Sequence, residues 1–138
     1  MKSIGLDLGD VWIGVAISDG LNITCRPIDT LKITDQEKWD ESLVSYLKKL
    51  FSDEIVGTVV IGYPKTMSGN ESEQTKKIVA QKEYLEKIFS DKNFVLWDER
   101  LSSKRADNLG GDKSQKITGH ARAAAFILQS YLDRKQFS

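Results

Sequence analysis

The fold is decided by the first strands of the chain, where residues 4–19 read IGLDLGDVWIGVAISD. Residues 4–8 form an apolar run that contains one acid, and a turn signal follows at Gly9 and Asp10. Residues 11–18 form a second run, which is rich in β-branched side chains. Two such runs separated by turn residues predict a pair of antiparallel strands.

A third strand is predicted over residues 23–31, after a two-residue hairpin signal at Asp19 and Gly20. Pro27 has no backbone N–H to donate, so this strand should lie at an edge of the sheet or be interrupted. The three strands together predict an antiparallel meander.

The hydrophobic period changes after the meander from that of strands to that of helices. From Asp35, a candidate N-cap, apolar residues recur at helical spacing up to about Phe51. Residues 55–61 form a short apolar run, as expected of a strand buried on both faces, and residues 94–97 form another strand. A helix between these two strands is expected to turn four side chains inward, namely Ile78, Tyr84, Leu85 and Ile88.

Two further helices are predicted over residues 101–109 and 117–134. The order of elements is therefore βββ-α-β-α-β-α-α. This order predicts an α/β fold with a mixed five-stranded sheet, in which parallel strands extend the antiparallel meander and helices cover both faces. Because the sequence has neither internal repeats nor a linker-like stretch, we expect one domain over residues 1–138.

Composition excludes several classes of protein. The 138 residues are 40% hydrophobic, which allows a buried core, and no apolar run approaches the roughly 20 residues of a membrane span. The single cysteine, Cys25, rules out an intramolecular disulfide and cysteine-based zinc sites, and reducing cytoplasm is the expected compartment. The single histidine rules out a histidine cage, so any metal would be bound mainly by carboxylate oxygen.

Charge is unevenly distributed along the chain, although 20 Lys/Arg and 20 Asp/Glu residues give a net charge of zero. Residues 1–99 hold 12 Lys/Arg and 17 Asp/Glu, whereas residues 100–138 hold 8 and 3. Opposite signs can place a basic surface beside an acidic pocket. Scatter between solvated helix faces is the alternative.

Asp7 is the first candidate for a functional side chain, because it lies within an apolar strand between Leu6 and Leu8. A carboxylate there needs a metal, a cation or backbone donors as its partner. Gly5 and Gly9 on either side would allow a ligand or a backbone to approach closely. The alternative is an acid that caps a turn at the end of the strand.

Asp98 and Glu99 follow the strand over residues 94–97. Successive strand side chains point to opposite faces, so only one of the two can share the face of Asp7. The sequence leaves open which one does so. A solvated strand end with Arg100 as a local ion pair is the alternative.

His120 is expected in the first turn of the last helix, after Thr118 as a possible N-cap. A helix N-terminus disfavours the imidazolium form, so the neutral ring could bind a metal; a packed structural histidine is the alternative. Together with the carboxylates, His120 would supply the ingredients of a Mg²⁺ or Mn²⁺ site. Such sites suit the hydrolysis of phosphodiesters.

Four stretches of the sequence carry a resemblance to a known family. They are residues 4–19, residues 59–69, residues 98–102 and residues 123–132. In this order they resemble the motifs of the YqgF family, also called RuvX, of Holliday-junction-resolvase-like nucleases. The resemblance covers nearly the whole chain. It implies a ribonuclease H-like fold and a divalent-metal nuclease with a bacterial cytoplasmic role in maturing the 5′ end of pre-16S ribosomal RNA; some members have also been linked to Holliday junctions.

The resemblance also assigns roles to residues. Asp7 would be the first metal carboxylate, and Glu99, or with less support Asp98, the second. The family usually has an Asp at the position of His120, so the chain departs from the family pattern there, although histidine can still complete the metal shell. The residues expected to contact the phosphates of a structured nucleic acid, either pre-16S rRNA or branched DNA, are Lys104, Arg105, Lys113, Lys116 and Arg122.

Two other functions are compatible with the sequence. The change from Asp to His could leave a catalytically impaired module that binds nucleic acid without cleaving it. Sugar-kinase and actin-like ATPases also carry Asp-Leu-Gly followed by Gly-Val-Ala, but they enclose ATP between two such domains, and 138 residues are too few unless the chain oligomerises. The chain is expected to be a monomer or a homodimer that does not associate with membranes.

Overall fold

The computed structural model describes residues 1–9, 11–63, 73–98 and 119–136. Its strands are β1 (Lys2–Leu8), β2 (Trp12–Ser18), β3 (Cys25–Lys32), β4 (Val56–Tyr63) and β5 (Asn93–Asp98). Its helices are α1 (Trp39–Asp53), α2 (Glu73–Ile88) and α3 (Gly119–Gln136). The helix predicted over residues 101–109 lies outside the described residues.

The strands form one mixed sheet in the order β3-β2-β1-β4-β5. The pairs β1–β2 and β2–β3 are antiparallel, whereas β1–β4 and β4–β5 are parallel. The predicted meander and the mixed five-stranded sheet are thereby confirmed. Strand β3 lies at the edge, and its pairing with β2 is irregular at Pro27, as the missing N–H of proline led us to expect.

Helices cover both faces of the sheet. On one face, side chains of α1 and α2 such as Leu43, Leu47 and Leu85 pack with Ile4 and Leu6 of β1 in the larger part of the core. On the other face, α3 packs on the sheet with an alanine-rich surface that includes Ala124, Ala125 and Leu128. Alternation along β1 therefore turns its even-numbered residues toward α1 and α2 and its odd-numbered residues toward α3.

Two glycines allow α3 to lie almost directly on the sheet. A Cβ on Gly5 would lie 2.7 Å from the carbonyl oxygen of Ala124, and a Cβ on Gly14 would lie 1.9 Å from the carbonyl oxygen of His120. Both distances are shorter than any real Cβ contact, so only glycine fits at these positions. Close backbone approach, which is one reason for glycine within a strand, is thus realised between β1, β2 and α3.

The turn after β2 differs from the expected two-residue hairpin. The last cross-strand pair is Ser18 with Cys25, and a backbone hydrogen bond from Asp19 N–H to the Thr24 carbonyl oxygen closes a longer loop. The Asp19 carboxylate accepts hydrogen bonds from the N–H groups of Ile23 and Thr24, and Asn22 takes a left-handed conformation with φ 56°. The side chain of Asp19 thereby stabilises a wider turn than the Asp-Gly signal alone predicts.

Two predictions on the helices also need correction. Asp35 caps a 3-10 turn (Gln36–Lys38) rather than α1, since its carboxylate accepts the N–H of Glu37 and α1 begins only at Trp39. In α2 the buried stripe runs through Thr75, Ile78 and Leu85, so Tyr84 and Ile88, predicted to face inward, are 42% and 37% exposed. Tyr84 lies one residue, and hence 100°, away from Leu85 around the helix. None of the described helices has the length and apolar character to cross a membrane.

Candidate active site

Asp7 lies near the carboxyl end of β1 and is half-buried. It pairs across the antiparallel ladder with Gly14, and its odd-numbered position turns its side chain toward α3. Strands β1, β4 and β5 run parallel, so their carboxyl ends meet at the same edge of the sheet. Asp7 therefore lies where ligands of open α/β sheets bind, outside the carboxyl ends of the strands.

The first described turn of α3 lies beside Asp7. The contact that fixes this arrangement is between Gly14, the cross-strand partner of Asp7, and the backbone of His120 and Ala121. A Cβ on Gly14 would lie 2.8 Å from the amide nitrogen of Ala121 as well as 1.9 Å from the carbonyl oxygen of His120. The structure thus brings two of the predicted site residues, Asp7 and His120, to one corner of the molecule.

The imidazole of His120 is exposed and lies on the indole of Trp12. The ring centroids are 5.8 Å apart and the ring planes are inclined by 13°, which is a stacked arrangement. The ammonium group of Lys32, the cross-strand partner of Trp12, lies 5.4 Å from the centroid of the indole. Neither Trp12 nor Lys32 was predicted from the sequence. The available signal was that Trp12, Gly14 and Ala16 occupy alternate positions of β2 and therefore share one face of the sheet.

Asp98 does not share the face of Asp7. It is the last residue of β5, where Phe94 and Leu96 belong to the core under α1 and α2. Trp97 instead packs with α3, and its indole N–H donates a hydrogen bond of 3.0 Å to the Ser130 hydroxyl. By alternation, Asp98 points to the face opposite Asp7. Glu99, the other candidate for the second carboxylate, lies outside the described residues.

Arg122 is the one candidate phosphate contact that falls within the described ranges, and it is half-buried in the first turns of α3. It follows His120 by two positions, so the two side chains leave the helix about 200° apart. The other four basic candidates, Lys104, Arg105, Lys113 and Lys116, lie outside the described residues.

The chemistry of the donor set fits part of a metal site. Asp7 offers a hard carboxylate oxygen, the ligand type that Mg²⁺ and Mn²⁺ prefer, and His120 offers an imidazole. Over residues 1–9, 11–63, 73–98 and 119–136, no three His, Cys, Asp or Glu side chains group closely enough to hold a metal ion. The further ligand that the family resemblance implies, Glu99, lies outside the described residues.

Cys25 offers no competing nucleophile. Its thiol donates a hydrogen bond of 3.1 Å to the carbonyl oxygen of Ala125, and its N–H donates to the side-chain oxygen of Gln129. Burial, reinforced by the negative charge of Asp133, raises the pKa of the thiol from its ordinary value near 9 to about 12. The thiolate is therefore almost absent at neutral pH, and the expectation that Cys25 has no catalytic context is consistent with its structure.

Comparisons with known proteins show which family and which fold the chain resembles. A family model described as "RuvX: Holliday junction resolvase" matches residues 1–134. The chain is 39% identical to a Staphylococcus carnosus protein named "Putative pre-16S rRNA nuclease", over 98% of this chain and 97% of that protein. It is 38% identical to a protein of the same name from a Geobacillus species, over 99% and 100% of the two chains.

A solved structure of RuvC from T. thermophilus, in complex with a Holliday junction substrate, is similar in fold. The TM-score is 0.72 with 10% sequence identity, and the match covers 100% of this chain and 96% of that one. This likeness establishes the ribonuclease H-like fold that the sequence motifs had implied.

Proposed function

Because this chain belongs to the RuvX family of Holliday junction resolvases, we propose that it is a divalent-metal-dependent nuclease that processes pre-16S rRNA. The observation that carries the proposal is the position of Asp7, a half-buried carboxylate at the carboxyl edge of the parallel strands and beside the first described turn of α3. The names of the relatives supply the substrate. Because pre-rRNA is processed in the bacterial cytoplasm, we propose that compartment for the protein.

Asp7 and Glu99 are the proposed metal carboxylates. Support for Glu99 over Asp98 comes from the strand register, since Trp97 lies on the α3 face and Asp98 on the other. Continued alternation would return Glu99 to the face of Asp7. Pairing β1 with β4 and β4 with β5 sets β1 and β5 about 10 Å apart, which two carboxylate side chains can bridge through bound cations. Mg²⁺ or Mn²⁺ held there would supply an activated water and neutralise charge on the leaving oxygen.

The chain's own residues have two tasks in this proposal. Asp7 and Glu99 hold negative charge at the centre of the site, and cationic side chains around it hold the phosphates of the substrate. The proposed phosphate contacts are Arg122 on α3 and the basic residues between β5 and α3, namely Lys104, Arg105, Lys113 and Lys116. A neutral protein can therefore still bind a polyanion at one place.

The test is a cleavage assay on precursor 16S rRNA in Mg²⁺ and in Mn²⁺, with the wild type, Asp7→Asn and Asp98→Asn. Asparagine keeps the size of the side chain but removes the charge. Loss of a metal carboxylate removes several kcal/mol of transition-state stabilisation, so Asp7→Asn should lower the rate about 100-fold or more. Asp98→Asn is the matched control, because the same change is made at another strand end but on the opposite face. Full activity of Asp7→Asn would overturn the proposal.

A nuclease of branched DNA is the second candidate, and the fold likeness to RuvC bound to a Holliday junction favours testing it. The same proteins are assayed on a four-way DNA junction. Cleavage of the junction at a higher rate than the precursor rRNA would reverse the assignment of the substrate while keeping that of the site.

A catalytically impaired binding module is the third candidate, and it is favoured by the stacking of the His120 ring on Trp12. In that case the wild type binds RNA in a salt-dependent manner but cleaves nothing in either metal. His120→Asp, which restores the residue usual in the family, would then gain activity. Cleavage by the wild type excludes this function.

A further inference from the structure

Trp12 and Lys32, which have no part in the proposed hydrolysis, form a cluster with His120. The imidazole of His120 lies flat on the indole of Trp12, and the Lys32 ammonium group lies 5.4 Å from the centroid of that indole. Within the described residues His120 and Lys32 are exposed, whereas Trp12 is half-buried. We call these three side chains the aromatic platform.

Backbone contacts hold the platform in a fixed position. Trp12 and Lys32 are cross-strand partners, and the Trp12 carbonyl oxygen accepts a hydrogen bond of 3.0 Å from the N–H of Gly9. His120 is held from below, because its carbonyl oxygen packs on Gly14 with no room for a Cβ. The backbone positions from which the two rings project are therefore fixed relative to each other.

The aromatic platform lies close to Asp7, the first of the proposed metal carboxylates. Trp12 stands two residues along β2 from Gly14, the partner of Asp7, and on the same face of the sheet. One strand across and two residues along the strand separate its Cα from that of Asp7 by about 8 Å. Successive nucleotides rise by about 3.4 Å in a stacked strand and by more in an extended one, so one or two nucleotides would span this distance.

We propose that the aromatic platform binds an unpaired nucleotide of the substrate next to the scissile phosphate. The base stacks on the exposed face of His120, which is backed by Trp12, and the Lys32 ammonium group contacts a backbone phosphate. An aromatic face beside a cation is the combination by which proteins bind single-stranded nucleic acid without reading its sequence. The assignment of the substrate class as nucleic acid rests on the proposed function, whereas the stacking itself does not depend on catalysis.

Two properties of His120, its flat aromatic face and its ring nitrogens, can be separated by substitution. Stacking needs only the flat face of the ring, whereas binding a metal needs a ring nitrogen. His120→Phe keeps the face and removes the nitrogens, and His120→Asp removes the face and introduces a carboxylate. The two variants should therefore have opposite effects on stacking and on metal chemistry.

The test measures binding of a fluorescently labelled eight-nucleotide RNA by anisotropy in EDTA, where no metal-dependent cleavage occurs. A base stacked on an aromatic side chain contributes about 1–3 kcal/mol, so His120→Asp and Trp12→Leu should each raise Kd roughly 5- to 150-fold. His120→Phe should stay within about 3-fold of the wild type, because stacking tolerates the change of ring. Lys32→Gln should weaken binding at low salt and lower the salt dependence by about one phosphate contact.

The control ligand is a fully paired RNA duplex with capped ends, whose bases are not available for stacking. Lys32→Gln and the new carboxylate of His120→Asp should weaken its binding through charge alone, so His120→Asp should raise Kd by a larger factor for the single strand than for the duplex. Thermal melting of each variant shows whether it is folded, and His120 variants keep the test valid if Trp12→Leu unfolds. Equal Kd values for His120→Phe and His120→Asp, or an unchanged Kd in both His120→Asp and a folded Trp12→Leu, would overturn the inference. Stacking without cleavage in any metal would instead count against the proposed function alone.

Discussion

Gly14→Ala is the substitution that most sharply tests how closely α3 lies on β2 beside Asp7. The new Cβ would lie 1.9 Å from the His120 carbonyl oxygen, whereas ordinary van der Waals contact begins at 3.4 Å. The atoms it meets belong to the backbone of α3 and cannot rotate away, so the first described turn of the helix must move by about 1.5 Å. Overpacking of this kind costs about 3 kcal/mol, the upper end of its usual range.

Such a loss should lower Tm by about 10 °C in a protein of this size, as measured by thermal unfolding followed by circular dichroism. The same displacement moves His120 away from Asp7, so binding of single-stranded RNA should weaken even in the fraction that stays folded. Gly20→Ala is the matched control, because a Cβ there meets nothing within 4 Å and should leave Tm within about 2 °C of the wild type. A Tm for Gly14→Ala equal to that of Gly20→Ala would refute the placement of α3 on β2.

Two further predictions concern groups away from the site. Because the pKa of Cys25 is raised to about 12 in the folded state, the folded protein binds more protons than the unfolded chain above pH 9. The contribution of this thiol to the free energy of unfolding, measured in urea, should therefore be constant below pH 9 and fall as the pH rises toward 12. Cys25→Ala should remove this part of the decline, and equal slopes in the two proteins would count against the buried thiol. Asp19→Ala removes the acceptor for the N–H groups of Ile23 and Thr24 and should cost about 1 kcal/mol in the same assay. Asp91→Ala, which removes an exposed carboxylate paired with Lys92, is its control and should change stability by less than about 0.5 kcal/mol. Equal losses in the two variants would show that the hydrogen bonds of Asp19 contribute nothing.

Most of the sheet was predictable from the sequence, because strand patterns depend on local alternation and on turn residues. The proline in β3 led to a correct expectation of an edge strand. The acid within the apolar run of β1 lies near the carboxyl end of that strand, and its role as a metal ligand stays a prediction. The errors arose where a side chain altered the local rule. The Asp19 carboxylate accepts hydrogen bonds from two backbone N–H groups and so stabilises a wider turn than the two-residue hairpin that Asp-Gly alone predicts.

The arrangement of the site was less predictable, since it depends on contacts between residues that are distant in the sequence. The sequence left the choice between Asp98 and Glu99 open, and only the register of β5 against the two layers of the core shows that Asp98 points away from Asp7. The aromatic platform was missed for the same reason. Trp12 and His120 are 108 positions apart, and they meet because Gly14 lets α3 lie on β2.

His120 is the residue whose interpretation the structure alters most. The sequence offered a metal ligand or a packed structural histidine, and the described ring is exposed and stacked by its face on Trp12. The proposed role of His120 in stacking therefore depends on the shape of its ring, whereas its predicted role as a metal ligand depends on its nitrogens.

The most direct test of the central claim is the single-turnover rate of precursor rRNA cleavage by Asp7→Asn relative to Asp98→Asn, at the same Mg²⁺ or Mn²⁺ concentration. The two variants carry the same chemical change at the carboxyl ends of two parallel strands, and the faces of the sheet are what distinguish them. We predict that Asp7→Asn is slower by about 100-fold or more, and that Asp98→Asn stays within about 3-fold of the wild type. Equal rates in the two variants, or a larger loss in Asp98→Asn, would contradict the assignment of the active site to the α3 face.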